Sequence, residues 1–301
     1  MKWRLNVPDI SPLTRKALAI DFRPTGVPKL WNHSDDLIPG YIEAMRKASQ
    51  DILEYQVVEK LEAPEYPVLM DGDQYTDTTY TQVLADPGQA LRNANGSYLL
   101  ADYDQIIQKF DLLGKIEDEQ IDEVWMFGGP YFGFYESRMV GRGAFWCNGP
   151  AVERDCRRFV IMGFNYERDV KEMIHDYGHR AENILAKHFG SETYLRKLYQ
   201  QKPTTAPANA YEQFLADVGT VHRKPGGEEY SQDEYAWLSA LQPEWWPPTI
   251  DPNLVGAPGP VPPTPDESAP VESEPAETKL SVPRHWYQFI LDFLAALFGK
   301  K

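Results

Sequence analysis

Short apolar runs alternate with segments of helical spacing through most of the chain. The stretches EYQVVEKLE (54–62) and DEVWMFGG (122–129) read as strands. RRFVIMGF (157–164) is nearly continuous in apolar residues, as a strand buried on both faces of a sheet would be. Between the first two, Ile106, Ile107, Phe110 and Leu113 recur at helical spacing, with Asp102 or Asp104 as the cap. After the third, NYERDVKEMIHDYGHRAENILAKHFG reads as one long helix over 166–189, with Asn165 as its cap, Glu167 in its first turn and Gly190 as its stop. Strand, helix and strand in that order imply crossover connections. The expected fold is therefore α/β, a mixed or parallel sheet with flanking helices. No internal repeat is visible.

The pattern breaks at Pro247. From there to Pro283 lie 11 of the chain's 25 prolines, mixed with glutamate, serine and alanine and without an aromatic residue. Such a composition buries too little apolar surface to offset its ordering entropy, so an acidic, disordered linker is expected. Beyond it, Trp286, Phe289, Ile290, Phe293, Leu294 and Leu297 fall on one face of a helix. The expected organisation is a globular domain over 1–246, a linker over 247–283 and an amphipathic docking helix over 284–301. That helix either folds back on its own domain or docks on a protein partner or a membrane surface, and the long linker favours docking.

Composition narrows the field. With 30 basic and 45 acidic residues the formal charge is −15, which repels phosphate backbones and argues against nucleic acid as a partner. No stretch approaches the roughly 20 apolar residues of a transmembrane span. The opening residues hold no apolar run of signal-peptide length, so a cytoplasmic protein is expected, recruited to an assembly or membrane surface by its tail. Cys147 and Cys156 are the only cysteines. They are expected as reduced thiols, since a scaffold that relies on disulfides carries more of them.

Candidate chemistry centres on EMIHDYGHRAE, residues 172–182. His175 and His179 lie one helical turn apart and present two ring nitrogens to one side. The spacing His-Asp-x-x-His is one methylene short of the His-Glu-x-x-His motif of zinc peptidases, in which the histidines hold zinc and the carboxylate polarises the attacking water. His222, in the Gly- and Pro-marked stretch DVGTVHRKPGG, is the candidate third ligand. Asp176 or Glu172 would activate water, and Glu172 and Glu182 are alternative ligands or bases. A rival reading stands beside this one: Glu172, Asp176, His179 and Arg180 form a charged helix surface or a buried polar network.

Two further clusters carry less. MFGGPYFGFYESRMVGRGAFWCN follows a strand, where α/β proteins place ligand loops. Tyr131, Tyr135 and Trp146 would line a binding surface there, with Glu136 and Ser137 as its polar groups; plain packing explains the same residues. The loop is expected to form a cleft with the start of the 166–189 helix. Asp71, Asp73 and Asp77 have calcium-loop spacing without the distal glutamate, and a turn accounts for them as well.

In their order, the blocks DEVWMFGGPYFGFYES, AFWCN, RFVIMGFNYER, GHRAE and GTVH resemble a family of largely uncharacterised bacterial and fungal proteins. The resemblance covers roughly residues 50–225 and implies an architecture, not an activity. It also implies that His179 and His222 matter more than the intact His-Asp-x-x-His spacing. Two functions remain in view: a metal-dependent hydrolase of zinc-peptidase type, and a non-catalytic ligand- or partner-binding module with a docking tail.

Overall fold

The structure is a computed structural model that describes residues 11–118, 121–224 and 234–256. The expected linker beyond 256 and the docking helix of 284–301 lie outside the described residues.

Five strands form one sheet: β1 (Leu13–Phe22), β2 (Leu53–Ala63), β3 (Glu123–Gly128), β4 (Ser137–Val140) and β5 (Phe159–Asn165), in the order β2-β1-β3-β5-β4. The first four strands in that order run parallel, and β4 pairs antiparallel with β5 at the edge. The sheet is thus mixed and the fold α/β. The strands expected at 54–62, 122–129 and 157–164 correspond to β2, β3 and β5. β3 is buried along its whole length and β5 over most of its own, as helices on both faces require.

Adjacent residues at the end of β1 show the two layers, since successive strand side chains point to opposite faces. Phe22 packs edge-on against Phe110 at 5.7 Å, in the connection between α3 (Tyr103–Lys109) and α4 (Leu112–Glu117). Asp21 instead accepts a hydrogen bond from Ser34, at the start of α1 (Ser34–Ala48). α2 (Asp77–Ala85) precedes α3 in the long crossover from β2 to β3. Asp102 caps α3 as expected, accepting from the backbone N–H groups of Asp104 and Gln105. The helix ends earlier than the spacing implies, because Asp111 turns left-handed (φ 48°) and starts α4 afresh.

The helix that carries the histidines is α5 (Val170–Phe189). It begins four residues later than expected. Asn165 closes β5 and accepts from Glu167 N–H in a turn, and Asp169 is the true cap, accepting from Lys171 N–H at 2.8 Å. Gly190 ends the helix in the left-handed region (φ 69°). Every residue from Met173 to Glu182 is buried, because α5 packs against α1, α8 (Glu234–Ser239) and α9 (Trp246–Ile250) as well as β5. α6 (Glu192–Tyr199) and α7 (Ala210–Asp217) follow and lean on it.

The globular part also outruns the expected boundary at 246. Trp246, Thr249, Ile250 and Val255 are buried, and the Asn253 amide donates to the Arg158 carbonyl at 3.0 Å while its oxygen accepts from Arg158 N–H. The first prolines past 246 sit in α9 rather than in a linker, since they follow a tryptophan pair that anchors them to the core.

Candidate functional site

Two polar features share α5, on neighbouring faces. One is the histidine group. The Nε2 atom of His179 lies 3.1 Å from that of His175 and 2.8 Å from that of His222. Their ligand atoms all fall within 4.8 Å of one another, and among the described residues this is the one group of three or more His, Cys, Asp or Glu side chains disposed to hold a metal ion. The two nitrogen separations are slightly shorter than the edge of about 3.3 Å expected for a tetrahedron with Zn–N bonds of about 2.0–2.1 Å. A small opening of the rings would admit such an ion. The contact is also unusual for imidazoles alone. A neutral ring nitrogen offers one proton or one lone pair, and the single Nε2 of His179 is in hydrogen-bond range of two others. Burial, then the neighbouring His179, His175 and Arg223, push the His222 pKa down to about 2, so its ring is neutral with a lone pair to give.

The residues behind these rings explain how His222 arrives. Residues 220–223 form a tight turn in which Thr220 N–H donates to the Arg223 carbonyl at 2.8 Å. The turn is fastened to α5 by Glu182, a wholly buried carboxylate that accepts from Val221 N–H at 3.0 Å and from the Tyr199 hydroxyl at 2.6 Å. The same carboxylate stands 3.6 Å from Nδ1 of His179, in the direction from which carboxylates orient metal-bound histidines. Gly178 allows the approach: a Cβ there would come within 3.3 Å of the Val221 methyls. A glycine inside a helix otherwise costs about 0.5–1 kcal/mol relative to alanine.

The second feature is a cavity of about 130 Å³ outside the carboxyl ends of β3 and β5, the end at which open α/β sheets bind ligands. Its apolar wall includes Leu99, Leu100, Tyr131, Phe132, Phe134, Phe164 and Met173. Gly133 belongs to the lining too, in the left-handed region (φ 76°), where a Cβ would strike the backbone of Leu100 and Ala101. The polar lining is Glu136, Asn165, Arg168, Glu172 and Asp176. Arg168 pairs with Glu172 at 3.0 Å and Glu136 accepts from the Asn148 amide. Burial, then repulsion from Glu136 and Glu172, raises the Asp176 pKa well above the usual carboxylate range, with Arg168 opposing.

The expected site residues thus divide. His175, His179 and His222 come together. Asp176 and Glu172 do not join them but line the cavity, because Asp176 lies about 100° around the helix from His175. Glu182 stands behind His179 rather than among the ligands. Of the loop residues, Tyr131 and Glu136 line the cavity and Tyr135, Ser137 and Trp146 do not. Ser137 is buried at the start of β4 and donates to the Cys147 carbonyl at 3.0 Å; Tyr135 packs on Tyr103 and beneath Arg138. Cys147 and Cys156 are both buried and free, and burial moves the Cys147 pKa up to about 11. Asp77 opens α2 and accepts from Gly26 N–H and the Tyr66 hydroxyl, each at 2.9 Å.

The residues of the rival reading do not form one network: Glu172 and Asp176 line the cavity, His179 joins the histidines, and Arg180 turns to a third side of α5. Arg180 and Glu123 form a buried ion pair, and Glu123 accepts as well from the Tyr55 hydroxyl and from Trp125 Nε1 at 2.7 Å. Leu99, Leu100, Asn165 and Arg168 are not among the expected site residues; only the position of Asn165 at the end of a strand and of Arg168 just beyond it hints at them. No helix among the described residues is long and apolar enough to cross a membrane. Compared with known protein families, curated proteins and solved structures, the chain matches none.

Proposed function

We propose that the chain is a metal-dependent hydrolase with zinc, or a similar transition metal, held by His175, His179 and His222. The observation that carries the reading is the convergence of the Nε2 atoms, 3.1 and 2.8 Å apart, on neighbouring turns of α5 and a turn fastened to it. Three protein ligands leave a position for water, as in catalytic rather than structural zinc sites. Asp176, which follows His175 directly, or Glu172 is the group assigned to take a proton from that water, and either carboxyl would have to turn from the cavity it lines toward the rings to do so. A tail docked on a protein partner or membrane surface would deliver the activity to its place.

One observation favours the second reading, a binding module without catalysis: the cavity lining takes in none of the three histidines. Elemental analysis of the untagged protein purified without chelator, beside His179→Ala, separates the two. Near-stoichiometric metal, absent from the variant, is expected, followed by hydrolysis of ester or amide substrates that Asp176→Asn slows by about 10²–10⁴-fold. Metal-free wild-type protein that stays metal-free when zinc is added would sink the hydrolase.

A further inference from the structure

The cavity asks for a particular kind of molecule. Its lining sets three carboxyl groups, Glu136, Glu172 and Asp176, against one guanidinium, Arg168, which Glu172 already engages. Asp176 is only 7% exposed, lines the cavity, and has no hydrogen bond or ion pair from its carboxyl among the described residues. A buried carboxyl normally finds donors; here no described side chain or backbone N–H supplies one, which leaves that role open to a ligand in the cavity. A metal ion is a poor candidate, since the three carboxyls do not form a group close enough to share one. The remaining wall is aromatic and aliphatic, and ring faces such as those of Tyr131 and Phe134 attract cations as well as apolar groups. Size limits the choice further. An engineered apolar cavity of about 150 Å³ takes benzene, so about 130 Å³ is room for a single ring, and a short arm on it must run along the polar lining.

We propose that the cavity binds a primary amine carried on a single apolar ring, the ring among the aromatic side chains and the ammonium against Asp176 and Glu136. A primary ammonium brings three N–H donors to carboxyls that need them, whereas a quaternary ammonium brings none. The inference stands beside the proposed hydrolase rather than on it, since the cavity lining takes in none of the three histidines; its test reads binding rather than turnover, so the two fail separately.

The probe is 2-phenylethylamine, titrated calorimetrically into the full chain beside phenylacetate, 2-phenylethanol and the N,N,N-trimethylated amine. The amine is expected to bind and the other three to bind at least about tenfold more weakly, with Asp176→Asn weakening the amine by about 10- to 100-fold. Glu136→Gln provides a second reading if Asp176→Asn melts abnormally. Phenylacetate or phenylethanol binding as well as the amine would overturn the proposal, and so would an amine affinity untouched by either variant or no amine binding at all. His179→Ala separates the claims: amine binding kept in a protein without metal supports the cavity assignment while removing the metal, and metal binding without amine binding does the reverse.

Discussion

α5 carries two buried polar groupings that differ in kind. At Arg180 and Glu123 each charge meets its opposite, and Glu123 collects donors from Tyr55 and Trp125 as well. At His175, His179 and His222 like meets like, nitrogen against nitrogen at hydrogen-bond distance. The first is matched in charge within the protein, although the buried Arg180 Nε finds no acceptor, and it holds the helix to the sheet. The second sets three ring nitrogens close together, where the cation proposed above would sit. Burial and polarity alone do not distinguish a structural network from a candidate site; the balance of donors and acceptors does.

That contrast is open to being broken. The largest effect is expected at the charge-matched pair: Glu123→Ala leaves the Arg180 guanidinium buried and unmatched, at a cost of about 3–5 kcal/mol, read from the denaturant midpoint. Next comes zinc itself. At about 100 times its dissociation constant it should stabilise the wild-type protein by about 2.7 kcal/mol and His179→Ala not at all, with melting as the readout; equal melting shifts in both would mean that the histidines hold nothing. Smaller again, Glu182→Gln should weaken zinc by about 10- to 100-fold in a chelator competition, because the amide orients His179 less firmly and holds the Val221 turn less well. The least effect is expected where neither grouping is touched. Removal of 284–301 should leave melting within about 0.5 kcal/mol, and a clear loss would show that the segment packs on the domain.

The sequence announces some of this and hides the rest for identifiable reasons. β3 and β5 are visible because burial on both faces makes them continuous apolar runs. β1 is less so: its first half, LTRK, is polar, and ALAI uses residues that suit helices equally well. β4 has only four residues, too few to show a period. The histidine pair is local and legible at spacing four, and a loop histidine is a natural third. What spacing cannot supply is the angle between His175 and Asp176, which sends the carboxyl to the cavity and not to the rings. Nor does anything near residues 98–100 announce that Gly133 brings them against the loop after β3.

His222 stands 43 residues beyond His179, and this separation bears on order of assembly. The helix pair exists once one turn has formed, but the third ring waits for α6 and α7. Bringing together the ends of a flexible segment that long takes about 3 kcal/mol of chain entropy. The bond from Val221 to Glu182 closes that segment from within the fold. An ion arriving there would meet rings already gathered, needing only to part them slightly, and little of its attraction to the nitrogens would go into gathering the chain.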